Sequence, residues 1–137
     1  MEKFKFLNHT ADIKFQSFGK DIKEVFENSA LAMFNSMYDG KVKSKINKKI
    51  KVKGKDFESL LYNFLEELLF LLDSENFFLS KIKKIKIDEK NFKIKSEISG
   101  DDAKNYEIHS DVKAITYNEM FVKKIKNKWV AQVVLDV

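Results

Sequence analysis

The chain has no cysteine and no proline, only four glycines, and no arginine among its 26 basic residues. Without cysteine there is no disulfide framework and no thiolate ligand for a structural zinc site. Such usage is expected of a protein kept in a reducing compartment, the cytoplasm. Without proline, with little glycine and with no low-complexity stretch or fixed-period repeat, no linker is visible, and one domain over residues 1–137 is expected. Long apolar runs are also missing. Leu68–Leu72 is the longest, far short of a bilayer span, and Met1-Glu2-Lys3-Phe4-Lys5 has no basic-then-apolar targeting pattern. The net charge of +5 is carried by lysine alone. Lysine lacks the planar fork that reads guanine edges, so sequence-specific DNA recognition is not expected and the charge speaks first for solubility.

What is present is a core. Hydrophobic residues make up 44% of the 137, thirteen of them Phe, and charged residues 34%, the balance of an ordinary globular protein. Asp21 followed by Glu24 resembles a capping box, and Ile22, Val25, Phe26, Ala30, Met33, Phe34 and Met37 recur at helical spacing, predicting a helix over about 21–38. Gly54-Lys55-Asp56 opens a second helix whose stripe of Phe57, Leu60, Leu61, Phe64, Leu65, Leu68, Leu69 and Leu72 ends near residues 73–76. Between them Val42, Ile46, Ile50 and Val52 alternate with lysines over 41–53, a strand with one dry and one cationic, solvated face.

From Phe78 the pattern is β. Its phase slips at Lys83-Lys84, Gly100-Asp101-Asp102 reads as a loop, and strands are expected over 106–117, 120–125 and 129–137. With a first strand at 9–16, the order βαβαβββββ defines an α+β fold, two amphipathic helices packed on antiparallel or mixed sheet.

Motifs for covalent chemistry are weak. His109-Ser110-Asp111 has the letters of a hydrolase triad, but on a strand Ser110 would face away from the other two. A phosphate loop is excluded around Lys55 because Lys49 stands where the first glycine is needed and Asp56 where a hydroxyl is. On the same expected strand Lys113 shares a polar face with Glu107, His109 and Asp111, a row that faces either water or a partner.

The two ends of the chain carry the sharper pattern. His9-Thr10-Ala11-Asp12-Ile13 opens the first strand, with Asp12 on its polar face, and the last strand stops on Leu135-Asp136-Val137. Asp12, Asp136 and a carboxylate at Val137 would form an oxygen-rich site if they met, and hard cations prefer oxygen. On spacing alone, two solvated aspartates are the commoner outcome. His9 and His109 are more naturally hydrogen-bonding residues than zinc ligands, being far apart and in no close-knit motif.

Taken together, His9-Thr10-Ala11-Asp12-Ile13, Glu27-Asn28-Ser29-Ala30-Leu31-Ala32-Met33-Phe34, the Leu60–Leu72 helix, Lys113-Ala114-Ile115-Thr116-Tyr117, and Trp129-Val130-Ala131 through Asp136-Val137 resemble the archease family. The likeness spans nearly the whole chain, and departs from the family at Asn118, where His is usual, and at Asn8, where an acidic residue is frequent. It implies a non-catalytic accessory protein of the RtcB-type RNA-splicing ligase, promoting guanylylation and repeated turnover as exon halves are joined in tRNA splicing. It further implies a divalent cation, Ca²⁺ before Mg²⁺ or Mn²⁺, held by Asp12, Asp136 and Val137, with His9 and Lys113 as ligase-contact residues. The competing reading from composition is a lysine-rich RNA-binding module acting without a ligase.

Overall fold

The computed structural model describes residues 2–137. Seven strands and two helices follow the order β1 (Phe4–Leu7), β2 (Ile13–Gly19), α1 (Ile22–Met37), β3 (Ile46–Lys53), α2 (Phe57–Glu75), β4 (Phe77–Asp88), β5 (Lys93–Asp102), β6 (Ala114–Ile125) and β7 (Lys128–Asp136). They form a four-stranded sheet, β1-β2-β7-β6, and a three-stranded sheet, β3-β5-β4. Every pairing is antiparallel. The fold is α+β, as expected.

Both helices start where the caps place them. The Asp21 carboxylate accepts from the Glu24 N–H at 2.9 Å, satisfying one of the four unpaired donors of the first turn of α1. Asp56 accepts from the Ser59 N–H at 2.7 Å and the Ser59 hydroxyl accepts in return from the Asp56 N–H, a reciprocal box for α2. At the far end of α2, Asn76 takes the left-handed conformation (φ 56°) and its N–H closes on the Leu72 carbonyl at 3.0 Å.

The buried stripe of α1 faces β2, β4 and β7, and that of α2 faces β3, β4 and β6, so the helices bridge the two sheets. Phe15, Phe26, Phe64, Phe77 and Phe78 are almost wholly excluded from solvent there. Each such aromatic contributes about 1.5–3 kcal/mol of transfer free energy.

Several expectations are corrected. Phe4–Leu7 forms an unexpected edge strand, and residues 9–12 lie in the loop after it, so β2 begins at Ile13. The element order is therefore ββαβαββββ. Residues 41–45 are loop, and the cationic strand starts at Ile46. Gly100-Asp101-Asp102 belongs to β5 instead of a loop, and β5 is the central strand of its sheet. Gly100 is needed because the Phe78 carbonyl oxygen lies 2.1 Å from where a Cβ would stand.

After a short 3-10 turn at Ala103–Asn105, residues 106–113 run as loop, pinned by the His109 N–H on the Met37 carbonyl at 2.8 Å. The strand-face objection to a His109-Ser110-Asp111 triad and the expected polar row with Lys113 therefore lose their basis. Segments 114–117 and 120–125 are one strand, β6, irregular between Thr116 and Phe121. The phase slip near Lys83 is real: β4 shifts register between Ile82 and Lys84, and again between Leu79 and Lys81.

Candidate functional site

One end of the four-stranded sheet gathers the residues singled out at the two ends of the chain. The β2–β7 register pairs Ile13 with Leu135. Asp12, one residue before Ile13, and Asp136, one residue after Leu135, thus take facing positions where the two strands end. On the other side of β7, Asp136 pairs with Ala114, and the Lys113 N–H donates to the Asp136 carbonyl at 2.8 Å. Lys113 is exposed beside it, and Val137 is partly buried against the core, which anchors the last residue at this same end.

Asp12 reaches the site through a turn. Ala11 has φ 65°, a left-handed conformation that costs a non-glycine residue about 1 kcal/mol. That turn undoes strand alternation and puts His9 and Asp12 on one side, His9 Nδ1 lying 3.7 Å from Asp12 Oδ2. This distance is too long for a hydrogen bond.

The ring is committed elsewhere, because its Nε2–H donates to Glu119 Oε2 at 3.1 Å. Lys14 Nζ donates to the other oxygen of the same carboxylate at 3.0 Å. Hydrogen bonding from Lys14 first, and from His9 second, holds the Glu119 carboxyl below its ordinary range. Sequence reasoning missed Glu119. It sits at φ 55° in the irregular stretch of β6, with its carbonyl held by Gln132 Nε2 at 2.8 Å. The only sign in the sequence was the polar break Asn118-Glu119 between two alternating segments.

Of the departures from the family pattern, Asn118 is exposed and uses its backbone N–H on the Thr116 hydroxyl at 3.3 Å, and Asn8 lies exposed in the β1–β2 loop.

Asp12 also lines an open groove of about 490 Å³ together with Phe6, Lys14, Asn35, Asp39 and His109. His109 thereby joins Asp12 at the groove, its ring nearly parallel to Tyr38 with centroids 6.4 Å apart. Lys113, by contrast, stands at the strand end with Asp136 and is not part of the groove lining.

Among the described residues no three His, Asp or Glu side chains stand close enough to form a metal cluster by themselves. The set implied for a cation is two carboxylates, Asp12 and Asp136, and a main-chain oxygen of Val137. That set is all oxygen, which suits Ca²⁺, Mg²⁺ or Mn²⁺ and not a thiophilic ion, and it leaves most of a six- to eight-fold Ca²⁺ shell to water or a partner. His9, bonded to Glu119, is a flanking residue here.

Fold and site together define a small two-sheet α+β protein with a carboxylate-bearing sheet end. The model of the archease protein family matches residues 4–137. The protein archease of Methanosarcina acetivorans is 39% identical over 141 residues, covering 99% of this chain and 97% of its own length. That of Sulfurisphaera tokodaii is 39% identical over 140 residues, with both chains covered in full. The solution structure of Methanobacterium thermoautotrophicum protein 1598 superposes with a TM-score of 0.84 at 37% identity, covering 100% of both chains. A crystal structure from Thermotoga maritima, described as an archease and possible chaperone, shares the fold at 19% identity, with a TM-score of 0.64 and 97% of this chain and 96% of its own covered. The chain belongs to the archease family. Among the described residues no helix is long and apolar enough to cross a membrane.

Proposed function

We propose that the protein is a non-catalytic activator of an RtcB-type RNA ligase, working in the cytoplasm to promote ligase guanylylation and multiple turnover in tRNA splicing. One observation carries this reading: in a chain related to archeases over its full length, Asp12 and Asp136 take facing positions at one sheet end. A divalent cation held there by Asp12, Asp136 and Val137, most simply Ca²⁺, supplies concentrated positive charge at the docking edge.

The protein's own residues prepare that edge. The Ala11 turn presents Asp12, the Lys113 N–H fixes the Asp136 backbone, and the Lys14–Glu119–His9 chain of hydrogen bonds orders the β1–β2 loop. Lys113 and His9, on either side of the carboxylates, are the contact residues for the ligase. A polar, charge-lined edge suits an encounter that must form and release once per cycle. Contact with tRNA exon halves through this edge is indirect, by way of the ligase.

The test is ligation of a 3′-phosphate RNA with limiting ligase, GTP and a divalent cation. Added protein is expected to raise product beyond one turnover per ligase, and Asp12→Ala and Asp136→Ala to abolish that gain while the far-UV circular dichroism stays that of the native fold. A yield unchanged by the wild-type protein sinks the activator reading. Stimulation retained by both variants removes the carboxylates from it.

A further inference from the structure

The three-stranded sheet has one face on the helices and one that nothing among the described residues covers. Along β5, Ile94, Ser96 and Ile98 are buried while Lys93, Lys95 and Glu97 are exposed. Register carries this division to both neighbours. Lys51 on β3 and Lys86 on β4 pair directly with Lys95, forming a row of three lysines across the sheet. Lys53 pairs with Lys93 one step along, and Lys49 and Lys84 flank Glu97 one step the other way. Seven lysines thus share a face with two carboxylates.

One of those carboxylates is already occupied. Asp88 accepts from the Lys90 N–H, the Asn91 N–H and the Asn91 amide, closing the β4–β5 turn. Among the described residues none of the seven lysines forms an ion pair, whereas Lys48, on the opposite face of β3, pairs with Glu75. Like charges directly opposed on neighbouring strands are destabilising. Side chains there lie about 4.8 Å apart across strands and about 6.8 Å apart along them. Folding gains nothing from such a row, so its use lies in what it binds.

We infer that this lysine face is a binding site for the phosphate backbone of RNA. A polyphosphate supplies the repeated negative charges that a regular lysine array neutralises, with counterion release as the driving force. An acidic protein surface fits less well, since its carboxylates are not repeated along one backbone as the phosphates of a polymer are, and the face offers no apolar anchor besides. Among the described residues the exposed large hydrophobics are Phe6, Ile46, Phe70, Ile108, Tyr117 and Ile125, and none stands among these lysines. The same lack disfavours a membrane, where a basic patch needs a second, apolar signal for stable anchoring. With lysine alone and no aromatic platform, the face grips backbone and reads no base. A shallow depression of about 220 Å³ lined by Lys49, Lys51, Lys84, Lys86 and Lys95 marks its centre.

The choice of RNA over other phosphate polymers rests on the ligase reading above, and the experiment therefore contains no ligase. The full-length protein is titrated into a labelled short single-stranded RNA and followed by anisotropy from about 50 to 200 mM salt. Wild type is expected to bind with a log–log salt slope of about −3 to −4, as for four to six neutralised phosphates on a single strand. K51Q/K86Q/K95Q is expected to weaken binding at least ~10-fold at low salt and to flatten the slope by about 2. The same triple change at exposed lysines elsewhere, K20Q/K23Q/K104Q, is expected to leave both unchanged.

Because K51Q/K86Q/K95Q removes repulsion, its melting temperature is expected to equal or exceed that of wild type at low salt, which separates lost binding from lost folding. Absence of RNA binding by wild type at the lowest salt overturns the inference, as does equal binding by K51Q/K86Q/K95Q. So does capture by phosphatidylserine vesicles without capture of RNA. Failure of the wild-type protein to stimulate ligation in the separate turnover assay described above, with this RNA binding intact, counts against the activator reading alone.

Discussion

Replacing Gly100 by alanine separates a loop from a central strand at one position. None of the glycines has positive φ, so alanine meets no backbone strain at residue 100 and the cost is steric. Its Cβ would lie 2.1 Å from the Phe78 carbonyl oxygen and 2.9 Å from Phe77 Cζ, against 3.4–4 Å for ordinary contact. The carbonyl belongs to a paired strand, with Phe78 standing opposite Asp101 in the β4–β5 ladder. Gly100 is paired with Ile46 on one side and Leu79 on the other, and its own carbonyl accepts from the Lys45 N–H at 2.9 Å.

Relief therefore means moving β4 away from β5, which places the change at the upper end of the overpacking range, about 3 kcal/mol. A chain of this length has about 7–20 kcal/mol of stability in all. The expected fall in melting temperature is about 6–12 °C at roughly 2–4 °C per kcal/mol. Thermal and urea melts by circular dichroism measure it, with the urea m-value unchanged because the same surface is exposed on unfolding. A loss below about 0.5 kcal/mol, the usual effect of a surface substitution, would mean that residue 100 has room for a methyl group and that the close approach to Phe78 is wrong.

Two further changes probe groups the mechanism leaves in the background. The Asp101 carboxyl is held below its ordinary value of 3.8 by the Tyr106 hydroxyl first, at 2.7 Å, and then by the Asp102 N–H and the Asn105 amide. A depressed carboxylate adds stability that is fully present above the ordinary value and is lost as pH falls through the folded one. Asp101→Asn is therefore expected to melt below wild type at neutral pH, with the gap closing in acid below about pH 4; a gap constant from pH 7 down to acid unfolding contradicts the assignment. Glu119→Gln removes the carboxylate that His9 and Lys14 share. NMR is expected to show shifted and broadened signals confined to residues 8–14 while the core holds, and unchanged signals in that loop would remove Glu119 as its organiser.

The helices and the last strand were legible because their information is local. Stripes at helical spacing, Asp21 and Asp56 as caps, and the stretch from Val130 to Leu135, apolar except at Gln132, each declare an element within about twenty residues. Pairings between distant strands do not. Nothing near His9 announces Glu119, and no local pattern sets Lys51, Lys95 and Lys86 in one row, since register is fixed only when three strands dock.

Two misreadings have particular causes. Gly100-Asp101-Asp102 has the composition of a turn, yet the glycine answers a neighbouring carbonyl and the first aspartate is taken by Tyr106. Residues 106–113 alternate like a strand but find no partner, because the His109 N–H is drawn to the end of α1. As for the site, Asp12, Asp136 and Val137 were named from the sequence, and the structure supplies the means by which the two aspartates come to one sheet end: the Ala11 turn and the Ile13–Leu135 register.

That register has a consequence for the life of the chain before it is complete. β7 is made after the other six strands described, and it is inserted between β2 and β6, so β2, made early, waits for it before the four-stranded sheet can assemble. Chains emerge at about 5–20 residues per second, and long-range pairing of this kind is slow to form. Until β7 docks, β2 offers a raw edge and Asp12 has no Asp136 opposite it. A chain stalled before β7 therefore lacks the facing pair of aspartates, and that sheet end forms only once β7 has docked.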